Sequence, residues 1–146
     1  MAAPDMSTQT RKEKRPVELH DIQGLVRFGH GQLTESRFLL LQITDEVIAR
    51  SWLLQAPVTT AQEQNPKPET ALQVAFSVDG LRALGLQQNI IEGFSDEFIG
   101  GLCGDENRSR RLGDTGNNAP QQWQWGGALN KPHLICYYCY TVREAK

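Results

Sequence analysis

The chain has 146 residues, with 15 basic and 17 acidic side chains and a formal net charge of −2. That length corresponds to about one ordinary domain, and a hydrophobic share of 39% is enough to build a core. The near-balance of charge argues against a nucleic-acid partner, since such proteins usually carry a clear basic excess.

The ends of the chain and its cysteines indicate the compartment. Residues 1–19 are polar and charged, and they lack the apolar segment of a secretory signal. We predict a disordered leader over 1–19 and one folded domain over 20–146. No apolar run approaches the roughly 18 residues that cross a bilayer, so we expect no membrane partner. Three cysteines, an odd number, do not suggest a disulfide framework. A cytoplasmic, reduced protein is expected.

Three apolar segments in the first half of the chain predict strands. LVRF at 25–28 lies among glycines, which predicts a strand or extended segment between turns. FLLLQI at 38–43 is nearly continuous in its hydrophobicity, a pattern typical of burial on both faces, so we predict a central strand there. VTTA at 58–61 predicts a short strand, and residues 62–69, with two prolines, predict a loop.

A helix is predicted directly after the second of these strands. Thr44 offers a capping hydroxyl, and Asp45 and Glu46 place two carboxylates in the first turn. The positions that recur at helical spacing, and so predict the apolar face, are Val47, Ile48, Trp52 and either Leu54 or Gln55. Pro57 is expected to end the helix.

A further strand and a second helix are predicted in the middle of the chain. Leu72, Val74 and Phe76 alternate with smaller or polar residues, the period-two pattern of a strand. Ser77 is placed to cap a helix, and Gly85 suits the left-handed conformation at its end.

The next segment predicts short helices followed by a long loop. One helical piece is expected at about 89–94, and Ser95 is expected to cap another that ends at Gly100 and Gly101. Residues 105–131 are polar and rich in Gly and Asn, which predicts a long irregular stretch. The basic cluster there, which predicts a solvated loop, is Arg108, Arg110 and Arg111.

The last element is strongly β-forming. The alternation over 134–141 predicts Leu134, Cys136, Tyr138 and Tyr140 on one face, with Ile135, Tyr137 and Cys139 on the other. With 25–28 taken as an extended segment, the element order is β-α-β-β-α-β, with additional helix and loop before the last strand. We predict an α+β fold, a ferredoxin-like βαββαβ antiparallel sheet with helices on one face, equivalent to one half of a dimeric α+β barrel.

Short segments spread over about residues 20–141 together resemble the dye-decolorising (DyP-type) haem peroxidase family. In chain order they are DIQG (21–24), LLL (39–41), VTTA (58–61), LQVAF (72–76), GLRALGL (80–86), GFSDEF (93–98), RLGDTG (111–116), AP (119–120), WQWG (123–126) and the strand that His133 begins. Their order and spacing carry the resemblance, which is to the amino-terminal half of the family.

The resemblance implies a fold of two ferredoxin-like halves and haem peroxidase chemistry, in which peroxide oxidises ferric haem and the product oxidises dyes or other reductants. It also implies that the proximal histidine, the distal arginine and the Gly-x-x-Asp-Gly motif lie in the second half. We expect this sequence to stop near the start of that motif. The chain alone is then expected to bind no haem and to be inactive, and we assign it no catalytic, cofactor-binding or metal-ligating residue.

Two aspartates imitate the distal motif of that family. GFSDE at 93–97 has Glu97 where the second glycine belongs, so Asp96 is interpreted as a carboxylate at a helix start. Asp114 also lies between glycines but at the wrong spacing, and we expect its side chain to organise a turn, with a pocket-lining role left open.

Cys136 and Cys139 have the spacing of a redox or zinc pair. In a strand, however, residues three apart point to opposite faces, so the two sulfurs should diverge. A zinc site would need two more ligands, and the candidates are scattered: Cys103, His20, His30 and His133. We favour a structural role for the pair.

The histidines and tryptophans have simple structural interpretations. None of the three histidines lies in a visible apolar slot of the kind that a haem ligand needs, so we expect ordinary surface or strand-end histidines. Trp123 and Trp125 could stack on a ligand or transfer electrons. We expect instead that they pin the long loop to the core.

Two functions remain for this sequence, besides a thiol or metal protein built on the Cys136 and Cys139 pair. The first is the amino-terminal part of a haem-dependent peroxidase. The second is a stand-alone ferredoxin-like association module. A βαββαβ sheet leaves one face open, and an uncovered apolar face invites association. The expected partner on that open sheet face is a second copy of the chain or a complementary carboxyl-terminal half.

Overall fold

An antiparallel sheet organises the fold in the computed structural model, which describes residues 16–27 and 29–142. Within those ranges the sheet has three strands, β1 (Glu35–Leu41), β2 (Thr70–Phe76) and β3 (Leu134–Tyr140). Their order across the sheet is β1-β3-β2, so the last strand in sequence lies at the centre.

The strand order identifies the topology. Both pairings with β3 are antiparallel, with Tyr137 opposite Phe38 on one side and opposite Gln73 on the other. β1 and β2 therefore run parallel, with β3 inserted between them. Helix α2 (Glu46–Gln55) connects them, following the short helix α1 (Gly24–Arg27) in the chain. A crossover with an inserted strand is the split βαβ unit of ferredoxin-like folds, which confirms the predicted α+β ferredoxin-like class.

Helix α2 begins and ends where the sequence predicts, but the prediction of which side of the helix is buried was wrong. Asp45, not Thr44, is the N-cap, and its carboxylate accepts a hydrogen bond from the Ile48 backbone N–H at 2.9 Å. The predicted apolar face is largely exposed, with Val47 76%, Ile48 68%, Trp52 41% and Leu54 89% exposed. Leu53 packs against the core instead. Because apolar residues surround nearly the whole helix, spacing alone did not identify the buried side.

Two small cores lie on opposite faces of the sheet. One contains Val74, Leu134 and Cys136, and the side chains packed against it include Leu53 of α2. The other contains Leu33, Ala71 and Cys139. Strand alternation explains the division, since consecutive residues of β3 point to opposite faces.

Short helices follow β2 in the chain and precede β3. They are α3 (Val78–Ala83), α4 (Gln88–Ile91), α5 (Asp96–Gly100) and α6 (Glu106–Leu112). Ser77 and Ser95 cap α3 and α5 as predicted, and Gly85 has the positive φ of 75° expected after α3. Gly80 lets α3 approach the start of β3, since a Cβ there would collide with the backbone oxygen of His133.

Three other local predictions are wrong. Residues 25–27 belong to α1 rather than to a strand, and residue 28 lies outside the described residues. Segment 58–61 forms an isolated bridge, between Thr60 and Gln23, rather than a strand. Segment 105–131 contains α6 and the 3-10 turns Gly116–Asn118 and Pro120–Gln122, where an irregular stretch was expected. Asp105 caps α6 through its carboxylate, a signal that the Gly and Asn content obscured.

The predicted leader falls mostly outside the described residues, which begin at residue 16. The described part of it ends in a 3-10 turn at Leu19–Asp21.

Strand β1 differs most from its prediction. Its apolar run predicts a central strand buried on both faces. The structure places it at the edge of the sheet, and all seven of its residues are exposed. The pattern of one strand specifies apolar neighbours on both faces, but the described residues supply few of them.

The outer edge of β2, by contrast, is covered. The Gln23 side chain accepts a hydrogen bond from the Val74 backbone N–H at 2.7 Å and donates one to the Val74 carbonyl at 2.8 Å. Two residues earlier along β2, the Thr59 N–H donates to the Leu72 carbonyl and the Thr59 hydroxyl accepts from the Leu72 N–H. Segments 22–24 and 58–61 thus satisfy the backbone of β2 as a fourth strand would.

The paired hydrogen bonds of Gln23 predict a measurable loss of stability on truncation. Replacing Gln23→Ala leaves both backbone groups of Val74 without this partner, and we expect a cost of roughly 1–3 kcal/mol in urea unfolding. Gln55→Ala is the matched control, because the exposed Gln55 amide bonds only to Ser51 of its own helix. Equal unfolding midpoints for the two variants would contradict the role assigned to Gln23.

Candidate functional site

One face of the sheet lies open and forms a shallow apolar groove of about 1050 Å³. Its floor consists of Phe38 and Leu40 from β1, Ala75 from β2, and Ile135 and Tyr137 from β3. We call this surface the open sheet face. The residues that line the groove include no charged side chain. The polar ones are Tyr137, Gln73 of β2 and Gln23, whose side chain bonds to the outer edge of β2.

The floor is flat, aromatic and poorly covered. Phe38 is 67% exposed, although its ring stacks on that of Tyr137 with centroids 4.7 Å apart and an interplanar angle of 25°. Leu40 is 41% exposed beside it. Side chains this large usually bury most of their area in a finished core. The open sheet face therefore has the chemistry of one side of a core.

Apolar residues from two other segments form the margin of the face. Leu25 and Val26 of α1 are 50% and 79% exposed, and Trp125 is 54% exposed. Gln73 fixes α1 beside the sheet, since its side-chain oxygen accepts a hydrogen bond from the Leu25 N–H and its amide donates to the Thr59 carbonyl. The margin extends the apolar surface beyond the strands.

The histidines occupy three different settings, and none lines the groove. His20 is exposed in the first 3-10 turn. His30 is buried, only 7% exposed, which corrects its prediction as a surface residue; its Nε2 lies 3.5 Å from the Gln73 Nε2. His133 lies at a strand start as predicted, and its Nδ1 accepts a hydrogen bond from the Ile43 N–H at 3.0 Å.

These settings do not fit a haem site within the described residues. An axial histidine needs a ring nitrogen directed into an apolar slot large enough for the macrocycle. The open sheet face is apolar, but its lining contains no histidine, cysteine or methionine that could be an axial ligand. The Nδ1 atom of His133 is already used by the backbone of Ile43.

Tyr137 brings a phenol to the open sheet face, but its protonation works against a role as an iron ligand. A hydrogen bond with the Cys139 thiol raises the pKa of Tyr137 above its usual value, and Ser36 only partly opposes this effect. A tyrosine ligand to haem iron coordinates as the phenolate, so a raised pKa disfavours coordination.

The cysteines are free thiols in separate environments. Cys136 and Cys139 belong to the two cores on opposite faces of the sheet, as strand alternation predicts. Burial raises the pKa of the Cys136 thiol. Cys103 is half-buried, with its Sγ 3.5 Å from the Gly126 carbonyl oxygen. Across the described ranges, no group of three His, Cys, Asp or Glu side chains is placed to hold a metal ion.

The two aspartates that imitate the family motif lie at helix ends. Asp96 is in the first turn of α5, as predicted. The neighbouring Glu97 has a lowered pKa, mainly because its carboxylate accepts a hydrogen bond from its own backbone N–H, with the Ser95 hydroxyl also contributing. The backbone N–H of Asp114 donates to the Ser109 carbonyl just beyond the end of α6. The predicted side-chain role of Asp114 in a turn stays a prediction.

The basic cluster lies on helix α6 rather than on a solvated loop. Arg108 donates hydrogen bonds to the backbone carbonyls of Glu97 and Gly101, so its guanidinium ties α6 to α5. Arg110 donates to the Asn107 side chain, one turn earlier on the helix. Arg108 therefore has a structural role, whereas Arg110 and Arg111 are exposed to solvent, as predicted.

The tryptophans differ from each other. Trp123 is half-buried, and its indole N–H donates to the Asn118 carbonyl at 2.8 Å, a bond within the long loop itself, so the pinning of the loop to the core by Trp123 stays a prediction. Trp125 was predicted to be buried in the same way, but it is 54% exposed and lies at the margin of the open sheet face. Gly126, with a positive φ of 85°, turns the chain directly after Trp125.

Sequence reasoning found only part of the open sheet face. The alternation over 134–140 placed Ile135 and Tyr137 on one face and Tyr138 and Tyr140 on the other, and the register confirms this division. Phe38 and Leu40 were missed because their run was assigned to a buried central strand. The signal that could have found them is the strand order, since any edge strand with this composition must expose it.

Comparison with known proteins supports the fold. No family model and no curated protein matches the chain. Among solved structures, the chain is similar to a dye-decolorizing peroxidase (DyP) in complex with 2,6-dimethoxyphenol, with a TM-score of 0.64 and 20% sequence identity. The match covers 87% of this chain and 28% of the peroxidase chain. The chain thus spans less than a third of that peroxidase, and the likeness concerns the fold. No helix in the described ranges is long and apolar enough to cross a membrane.

The distribution of the cysteines predicts an order of thiol reactivity. At pH 8, we expect a thiol-specific reagent such as DTNB to modify Cys103 first, because Cys136 and Cys139 are only 2% and 3% exposed and the raised pKa of Cys136 reduces its thiolate fraction further. The two buried thiols should react only when denaturant is added. Cys103→Ser should remove the fast phase, and prompt reaction of all the thiols in the native protein would contradict the two cores described.

Proposed function

We propose that this chain is the ferredoxin-like amino-terminal half of a DyP-type haem peroxidase, and that it shapes the assembly without supplying catalytic residues. The observation that carries the proposal is the fold likeness to a dye-decolorizing peroxidase over 87% of this chain. The ordered segments that resemble the family, from residue 21 to the strand at His133, support it independently.

In this proposal the second half supplies the haem ligand and the Gly-x-x-Asp-Gly motif, and haem provides the oxidising chemistry when it is bound there. The reaction class is peroxide reduction coupled to oxidation of dyes or other organic reductants. The described residues of this chain contribute by exclusion: an apolar floor with no charged lining keeps water from the surface it covers.

The open sheet face is the surface on which this chain would act. Complete burial of a side chain such as Phe38 stabilises an assembly by roughly 1.5–3 kcal/mol. The stacked Phe38 and Tyr137 rings, with Leu40 and Ile135 beside them, form a patch that an apolar surface of similar shape can cover. We propose that the second half covers it.

A second candidate function is supported by the same exposure. The chain would then be a stand-alone ferredoxin-like association module, and its open sheet face would dock on a second copy or on another apolar partner. The exposure of Phe38, Val26 and Trp125 favours this candidate, because soluble monomers rarely leave such a contiguous patch uncovered.

Haem binding tests the first candidate directly. When hemin is titrated into the purified chain, we expect no saturable one-to-one Soret shift, because the groove lining offers no axial ligand. We also expect peroxide-dependent dye bleaching no faster than with the same concentration of free hemin. His20→Ala is a matched control, and it should leave any weak hemin association unchanged because His20 is exposed and does not line the groove.

Saturable one-to-one haem binding with bleaching above the free-hemin level would contradict the assignment of catalysis to the other half. The two candidates separate on the coding DNA that follows codon 146. A Gly-x-x-Asp-Gly motif and a later histidine, in any reading frame, support the peroxidase half. Their absence leaves the association module as the better candidate.

A further inference from the structure

One histidine lies at the junction where β1 and β2 end and β3 begins. The His133 Nδ1 accepts a hydrogen bond from the Ile43 backbone N–H at 3.0 Å. The backbone N–H of His133 donates to the Leu41 carbonyl, and its backbone oxygen accepts from the Ser77 N–H. Leu41 is the last residue of β1, Ser77 follows β2, and His133 directly precedes β3. The three strands therefore meet at this residue.

The bond between the His133 ring and Ile43 differs from the others at the junction, because it depends on the protonation of a side chain. An imidazole nitrogen accepts a hydrogen bond through its lone pair, so a neutral ring that accepts at Nδ1 carries its hydrogen on Nε2. The imidazolium ion carries a hydrogen on both nitrogens and has no lone pair left to accept with. Protonation of His133 would therefore set one N–H against another, and the bond to Ile43 would be lost.

No ion pair compensates for that loss. Across residues 16–27 and 29–142, no carboxylate pairs with the half-buried ring of His133. The charged groups that flank it on the surrounding elements are bonded to other partners, and they are Asp45 and Glu46 at the start of α2, Asp79 of α3, and Lys131. Lys131 forms its ion pair with Asp79, at 3.7 Å. Acid thus adds a positive charge at the junction without a partner for it.

We propose that the bond between His133 and Ile43 is a pH-sensitive contact, which ties the segment after β1 to the start of β3 while the ring is neutral and releases it when the ring is protonated. In an unfolded chain a histidine takes up its proton near pH 6.5. Because the folded junction uses the neutral ring, the stability that this bond contributes is fully present above that pH. It is lost as the pH falls below it.

The contact acts on the segment that connects β1 to α2. Ile43 lies in that segment, and its side chain packs against the core that also receives Leu53 of α2. The neighbouring bonds, from the His133 N–H to the Leu41 carbonyl and from the Gln42 amide to the Lys131 carbonyl, use no titrating atom. We therefore expect acid to loosen the chain at Ile43 while the paired strands stay joined.

This inference is independent of the function proposed above. His133 does not line the open sheet face, and its bond to Ile43 lies within the chain. The pH dependence is expected whether the chain is one half of a peroxidase or an association module.

Urea unfolding at about pH 7.5 and about pH 5.5 tests the proposal with two asparagine variants. In His133→Asn the side-chain oxygen takes the place of Nδ1, since both atoms are bonded to Cγ, so an acceptor is kept that does not titrate in this range. On acidification, we expect the folding equilibrium constant of the wild type to fall by up to about tenfold more than that of His133→Asn. His20→Asn, which changes an exposed histidine, should follow the wild type. His30 is present in all three proteins, so its titration cancels in the comparison.

A second measurement needs no variant and covers the case in which His133→Asn fails to fold. In the ¹⁵N-labelled wild type at about pH 7.5, NMR should detect a scalar coupling across the N–H···N bond between the Ile43 nitrogen and the His133 Nδ1. That coupling should disappear as the ring takes up its proton. A hydrogen on the His133 Nδ1 at pH 7.5, a coupling that persists in the protonated ring, or equal pH dependence of the wild type and His133→Asn would each overturn the proposal.

Discussion

The central position of β3 is the constraint on which the rest of this fold depends. This strand comes from the far end of the chain, yet it pairs along seven residues with β1 on one side and with β2 on the other. Its side chains also divide the two cores, with Cys136 on one face and Cys139 on the other. The strand is anchored at its start by His133, whose ring accepts from Ile43 while its backbone oxygen accepts from the Ser77 N–H.

Signals that depend only on nearby residues could be predicted from the sequence. The serine caps of α3 and α5 and the left-handed Gly85 are local hydrogen-bond and backbone effects, and all were predicted correctly. The alternation of β3 likewise predicted the divergence of its cysteines. The environment of β1 could not be predicted in the same way, because whether an apolar strand is central or at an edge is decided by segments distant in the chain. The prediction of the buried side of α2 was wrong for the same reason.

The candidate site could likewise be predicted only where nearby residues decide the structure. Tyr137 could be placed by strand period, but the open sheet face also takes Phe38 and Leu40 from a strand assigned to the interior, and Trp125 from a loop expected to be pinned down. The face thus combines side chains that are far apart in sequence. Its apolar, uncharged character explains why no catalytic motif revealed it, and it is consistent with a chain whose proposed role is to cover and support a partner.

β3 holds the sheet together, and β1 is an edge strand whose outer side no strand in the described ranges covers. Amide hydrogen exchange, measured residue by residue, tests this arrangement. We expect the β3 amides to exchange slowest. Alternate amides of β1, those directed away from β3, should exchange fast. Protection of every β1 amide to the level of β3 would contradict the arrangement.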